Sequence, residues 1–262
     1  MENVRPPAVA GQFYPAEPQR LREMVRGFLD GAPTSEVTKP KAMIAPHAGF
    51  IYSGPVAASA YAQLAKHAAG VHRVILIGPA HRVAVPSLAV GSVTGYRTPL
   101  GVVPVDTDVV ASLLEMPQVE LRDDALAAEH SLEVHLPFLQ MILTDFSIVP
   151  IVVGSATMDE VRQVLARLWG GEETIVIVSS DLSHYLPYQI ARGIDQSTAD
   201  AIEQLRPEEI GRTDACGRAG IQGLLLLAKS KGLRVQTIDL RNSGDTAGPK
   251  DQVVGYGSFL LA

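Results

Sequence analysis

The sequence predicts a single α/β domain over residues 1–262, a sandwich with a central mixed sheet flanked by helices, and three observations predict it. Short runs rich in Val and Ile recur with the length of strands buried on both faces. Segments of helical period separate them, which is the alternation of a layered α/β domain. The chain has 262 residues with 47% apolar content, enough for one large core and near the upper limit for one.

Taken in order, the runs at 41–46, 72–79, 146–154 and 173–181 form the central strands. Helical spacing falls at 55–68, 106–115, 131–143, 158–169 and 190–205. The stretch 88–106 carries Gly95 and the turn Pro99-Leu100-Gly101 between apolar runs, so a hairpin is expected there and the sheet is expected to be mixed. At the C-terminus, 234–240 and 253–262 read as two strands joined by a loop rich in Gly, Asn and Asp.

Composition excludes several functions. With 22 Lys and Arg against 28 Asp and Glu, the net charge of -6 offers no basic footprint for a nucleic-acid backbone. One cysteine, Cys216, cannot form an internal disulfide, and the first fifteen residues lack the apolar run of a secretory signal, so the expected compartment is the cytoplasm. No apolar run approaches the roughly 20 residues that span a bilayer, and no membrane association is expected.

Chemistry gathers at four strand ends. In open α/β sheets ligands sit beyond the carboxyl ends of the strands, and here those ends read APHAGFIYSG (45–54), IGPAHR (77–82), VSSDLSHY (178–185) and DLRNSGD (239–245). Two neutral imidazoles plus one carboxylate bind a mid-series divalent ion such as iron(II) and leave positions open for small molecules. His47, His81 and Asp245 are the expected ligands, and His184, oriented by Asp181, the expected acid/base group. Asn242 is assigned to the substrate pocket with them.

A further cluster, EHSLEVHLPF (129–138), supplies His130, Glu133 and His135 as candidate pocket residues. His130 and His135 lie five apart, which on a helix turns them away from each other, so one or two of the three are expected to face the crevice. The spacing departs from the zinc-protease pattern, and no peptidase is expected. Cys216, ahead of a strongly apolar helix, reads as a small buried hydrophobe.

These motifs, together with RPPAVAGQFYP (5–15), DACGR (214–218) and VGYGS (254–258), run in order along the whole chain, which resembles the Memo family in its prokaryotic form. The resemblance implies a fold similar to the class III extradiol dioxygenases, with one non-haem iron(II), Fe(2+), or another divalent metal. It places His47 and His81 at the family's two histidine ligands, Asp245 at the third, where eukaryotic members carry cysteine, and His184 at the dioxygenase acid/base position. It also implies an AmmeMemoRadiSam association with AMMECR1-like and radical-SAM proteins. The resulting expectation is a dioxygenase-like oxidoreductase acting on a small molecule. The alternative is a non-catalytic module that binds a peptide or protein in the same pocket.

Overall fold

A computed structural model describes residues 3–33 and 38–262. In chain order the strands are β1 (Val4–Arg5), β2 (Ala42–Ala45), β3 (Arg73–Pro79), β4 (Leu88–Val90), β5 (Gly95–Thr98), β6 (Gly101–Pro104), β7 (Val119–Leu121), β8 (Ser147–Val153), β9 (Thr174–Ser179), β10 (His184–Leu186), β11 (Val235–Asn242) and β12 (Val253–Leu261). The helices are α1 (Pro18–Asp30), α2 (Phe50–Ala65), α3 (Thr107–Leu113), α4 (Asp123–Ala127), α5 (Leu136–Ile142), α6 (Met158–Arg167), α7 (Tyr188–Glu203), α8 (Arg218–Lys231) and α9 (Ser243–Thr246).

The four predicted central strands lie side by side as β2-β9-β3-β8, all parallel. Their side chains are almost all buried, which is what continuous Val and Ile runs signify when helices cover both faces. The sheet becomes mixed at both flanks. Strand β4 pairs antiparallel with β8 and carries β7 beside it in parallel. On the other side β12 runs antiparallel to β2 at its C-terminal end and to β10 at its N-terminal end, with β11 along its opposite edge.

The expected hairpin forms as β5 and β6, turned through Gly101 at φ +130°, a backbone region that suits glycine. It does not join the main sheet. It adds to β1 as a separate three-stranded sheet, so the N-terminal segment is tied to the hairpin rather than left at the surface.

Two local readings change. The cluster at 129–135 is not a continuous helix: 129–132 are a turn, Glu133–His135 one 3-10 turn, and α5 begins only at Leu136, with Pro137 in its first turn. Helix α1, to which the sequence reading assigned nothing, is amphipathic and buries Leu21 and Val25 against α2 and α5. No helix among the described residues is long and apolar enough to cross a membrane.

The parallel strands β2, β3 and β9 end at one edge, so the residues that follow them are delivered to a common place. Those residues include His47, His81 and Asp181.

Candidate metal centre

His47 is 2% exposed and its ring is fixed from behind. Nδ1 lies 2.6 Å from Ser179 Oγ, and that hydroxyl donates its one proton to the Ser131 carbonyl at 2.6 Å. Ser179 must therefore accept from His47, which puts the imidazole proton on Nδ1 and leaves the Nε2 lone pair free. Burial holds His47 well below the ordinary histidine value, so the ring is neutral and able to ligate.

His81 is set the same way by a carboxylate. Its Nδ1 lies 2.9 Å from Glu129 Oε1, and its backbone N–H donates to Oε2 at 2.6 Å. Burial alone would raise the Glu129 carboxyl, but hydrogen bonds from the His81 ring and from the backbone of Ser131 and His81 outweigh it and hold the group at about 2. An ionised carboxylate accepts only, so His81 donates from Nδ1 and also presents Nε2 as a free lone pair. This carboxylate-histidine pair is the usual support of a metal ligand.

The third donor is Cys216. Its Sγ lies 3.4 Å from His47 Nε2, and His47, His81 and Cys216 each offer one ligand atom, all within 4.8 Å of one another. In a tetrahedral site with metal–sulfur and metal–nitrogen bonds of ordinary length, neighbouring ligand atoms sit about 3.6 Å apart. The donor set therefore fits a divalent ion. Burial pushes the Cys216 thiol up to about 12, so a thiolate there requires a cation beside it.

Asp245 does not join this set. It lies in α9, exposed, where Oδ2 accepts from Asn242 N at 3.1 Å in a capping box and Oδ1 accepts from the Tyr188 hydroxyl at 2.5 Å. The strand end that carries it belongs to β11, which lies along the opposite edge of β12 from β2, so β12 stands between it and His47. Among the described residues, the side chain whose ligand atom comes together with those of His47 and His81 is therefore Cys216 and not the expected Asp245, and Cys216, expected as a small buried hydrophobe, stands as a candidate ligand.

Around the three donors stand the other strand-end groups. Asp181 is 4% exposed, with Oδ1 accepting from His47 N at 2.8 Å and Oδ2 at 4.0 Å from His47 Nε2. Burial raises its carboxyl, against the hydrogen bond from His47 and the nearby charges of His184, His81 and His130. His184 is half-buried at the start of β10. Tyr185 beside it is at φ +56° at an irregularity in the strand, which turns that ring to solvent.

The cluster at 129–135 divides. His130 belongs to the site: its ring lies 4.7 Å from His81 and 5.5 Å from His47, and Phe13 covers it at 4.8 Å. Its Nδ1 is buried without a hydrogen-bond partner. Glu133 faces away, with Oε1 and Oε2 accepting from Arg5 Nη1, the backbone N–H of Ala8 and Val9, and the Tyr14 hydroxyl. His135 sits in the core, with Nδ1 at 2.8 Å from the Tyr61 hydroxyl. Neither of these two is a pocket residue. Asn242 lies with Asp245, outside the metal centre. Glu129, Ser131 and Ser179 went unassigned in the sequence; the one local signal was a Glu directly before His130.

Burial carries His135 down to about 3 from an ordinary 6.5. Below pH 6.5 the unfolded chain takes up a proton that the folded chain refuses, so this contribution to stability is complete above 6.5 and is lost as pH falls toward 3. Urea midpoints measured across that window are expected to fall with pH. They should fall less steeply in His135→Gln, and an unchanged slope would contradict the assignment.

Comparison with known proteins shows the family of the chain. A family profile described as Memo-like protein matches residues 5–260. A MEMO1 family protein of Aquifex aeolicus is 36% identical over 97% of both chains, and one of Archaeoglobus fulgidus is 36% identical over 98% of this chain and 99% of its own. Among solved structures, the uncharacterized protein JW3007 from Escherichia coli K12 superposes with a TM-score of 0.54 over 83% of this chain and 98% of its own, at 14% identity, a likeness of fold alone. The end-to-end match leads to one conclusion: the chain belongs to the Memo family.

Proposed function

We propose that the chain is a metal-dependent redox enzyme of dioxygenase-like architecture, with iron(II) as resident ion and a small oxygen-bearing molecule as substrate. The observation that carries this reading is the convergence of the His47 and His81 imidazoles and the Cys216 thiol, each oriented from behind by the protein. Bound there, iron(II) would supply Lewis acidity and a route for electrons at the coordination positions that three protein ligands leave open.

The chain's own groups do the rest. Glu129 and Ser179 hold the two imidazoles in the tautomer that presents Nε2, so no reorganisation is needed at the moment of binding. Asp181, with one oxygen fixed by His47 N, keeps Oδ2 on the side of His47 Nε2, and its burial raises its carboxyl. His184 is half-buried beside it, so the pair is placed to deliver or remove a proton at a substrate oxygen. Phe13 and His130 wall the site and exclude water from one side.

Anaerobic purification at full iron supply, followed by elemental analysis and oxygen-uptake assays with catechols and other small nucleophiles, tests the proposal. One iron per chain and substrate-dependent oxygen uptake are expected, with His184→Ala retaining the metal while turnover falls roughly 10²–10⁴-fold. A stoichiometric zinc centre without oxygen uptake would overturn the redox assignment. A metal-free chain would favour the peptide- or protein-binding alternative.

A further inference from the structure

A buried carboxylate outside the metal centre, Asp195, lies on α7 and is 3% exposed. Such a group is costly to bury unless it is hydrogen-bonded, and its contacts show what it holds. Oδ1 accepts from Ser183 N at 3.0 Å, so the carboxylate is tied to the residue directly before His184.

It packs as closely on the strand opposite. A Cβ on Gly255 would lie 2.2 Å from Asp195 Oδ2 and 2.4 Å from Oδ1, so the carboxylate rests on the Gly255 backbone and only glycine leaves room for it. Gly255 N donates to Ser183 O at 2.8 Å, and Leu182 N donates to Gly255 O at 2.8 Å. Val254 is the Cα partner of His184 in the same ladder. Asp195 therefore meets the junction of β10 and β12 at the point where His184 is carried, and this requirement explains the first glycine of VGYGS (254–258).

That junction is strained. Tyr185 holds φ +56°, a region that a bulky aromatic residue rarely adopts, and the ladder register shifts between His184 and Leu186. A conformation of this kind persists only where its surroundings over-determine it. On the His184 side, the bond from Ser183 N to Asp195 and the cross-strand bonds to Gly255 do so. His184 and Asp195 also act on each other: burial raises the Asp195 carboxyl, while the hydrogen bond from Ser183 N and the charge of His184 lower it. The other titratable groups round His184 are Asp181 and His47 on the metal side and Tyr185, whose ring lies 5.8 Å away; Asp214 acts on Asp195.

We infer that Asp195 is the positioning residue of His184: it clamps Ser183 and Gly255 beside that histidine and supplies a neighbouring negative charge that favours its protonated form. The inference rests on the acid/base role proposed for His184, but not on the identity of the metal or on redox turnover.

NMR titration of the full chain supplied with zinc(II) tests it, the His184 ring line being identified by its loss in His184→Gln. In Asp195→Asn the side-chain carbonyl can still accept from Ser183 N but the charge is gone. The His184 midpoint is therefore expected to fall by about 0.5 pH unit or more, with metal content unchanged. His184→Gln should raise the Asp195 carboxyl midpoint by a similar amount, because the coupling of two proton sites is reciprocal, and this variant leaves the Asp195 clamp intact. In Asp195→Ala, which removes charge and acceptor together, the Ser183 amide should exchange with solvent about tenfold faster, or more, than in Asp195→Asn. An unmoved His184 midpoint in Asp195→Asn, an unmoved Asp195 midpoint in His184→Gln, or equal Ser183 exchange in Asp195→Asn and Asp195→Ala would overturn the inference. Oxygen uptake enters none of these readouts, so failure of the redox reading would leave them unchanged.

Discussion

Replacing Cys216 by Ser is expected to remove stoichiometric metal from the purified protein, while Asp245→Ala leaves metal content unchanged. The contrast rests on position. Cys216 Sγ is 3.4 Å from the free lone pair of His47 Nε2, whereas the Asp245 carboxylate is taken up by the Tyr188 hydroxyl and the Asn242 backbone. A serine hydroxyl in place of the thiol stays protonated far above neutrality and replaces a soft anionic donor by a hard neutral one. Loss of a ligand's charge and softness together should lower affinity by at least the 10–100-fold that removal of a supporting group alone produces. Asp245→Ala removes a cap from a four-residue helix and should cost only about 1 kcal/mol of stability. Metal analysis of both variants after identical purification decides the matter: retained metal in Cys216→Ser, or metal lost in Asp245→Ala, would return the third ligand to the carboxylate.

His47→Ala and His81→Ala belong to the same experiment and should lose metal with the fold intact, since each ring serves the ion more than the core. Of the two, His81 is the safer variant. Its side chain is about a quarter exposed, whereas His47 is buried and its removal also leaves the Ser179 hydroxyl to find a new donor.

What the sequence revealed of this site was whatever could be read locally. A buried Val and Ile run followed at once by a polar residue marks the carboxyl end of a parallel strand, and that rule placed His47, His81 and Asp181 at one edge from the chain alone. Cys216 does not follow a strand. It stands in the turn before α8, and its proximity to His47 spans 169 residues. Nothing in DACGR distinguishes a ligand thiol from a buried one. Asp245, by contrast, follows a strand whose C-terminal end lies at the same end of the sheet as that of β2 but with β12 between them, and its carboxylate is taken up by Asn242 N and the Tyr188 hydroxyl; the sequence shows neither the intervening strand nor those partners. In the cluster at 129–135 the sequence did not show which of the three residues would face the site. Its histidines and Glu133 were judged by helical spacing, but that stretch is a turn running into a 3-10 segment, so each side chain takes its own direction.

Glu133→Ala is expected to destabilise the chain by about 3–5 kcal/mol, the range for breaking a buried ion pair by removing one partner. Arg5 and Glu133 are 3% and 0% exposed and meet at 2.8 Å, so water cannot replace the lost carboxylate. The substitution also strips acceptors from the backbone N–H groups of Ala8 and Val9 and from the Tyr14 hydroxyl. For a chain of this size the loss corresponds to a fall in Tm on the order of 10 °C. It should reach the metal centre as well. The segment held by Glu133 carries Phe13, whose carbonyl accepts from Phe50 N at the start of α2 and whose ring covers His130. Release of that segment would expose the site to water while leaving all three ligands in place, so metal should remain bound but exchange faster with a chelator. Replacing both partners, as Arg5→Met with Glu133→Leu, removes the uncompensated charge but still leaves Ala8 N, Val9 N, the Tyr14 hydroxyl and the carbonyls of Leu126 and Glu129 without partners, so it should recover only the part of the lost stability that belongs to the ion pair. Recovery of Tm without recovery of slow metal exchange would show that the carboxylate's grip on Ala8, Val9 and Tyr14, and not the ion pair, keeps Phe13 over the centre. A Tm unchanged in Glu133→Ala would mean that the N-terminal segment is held by β1 and the hairpin alone.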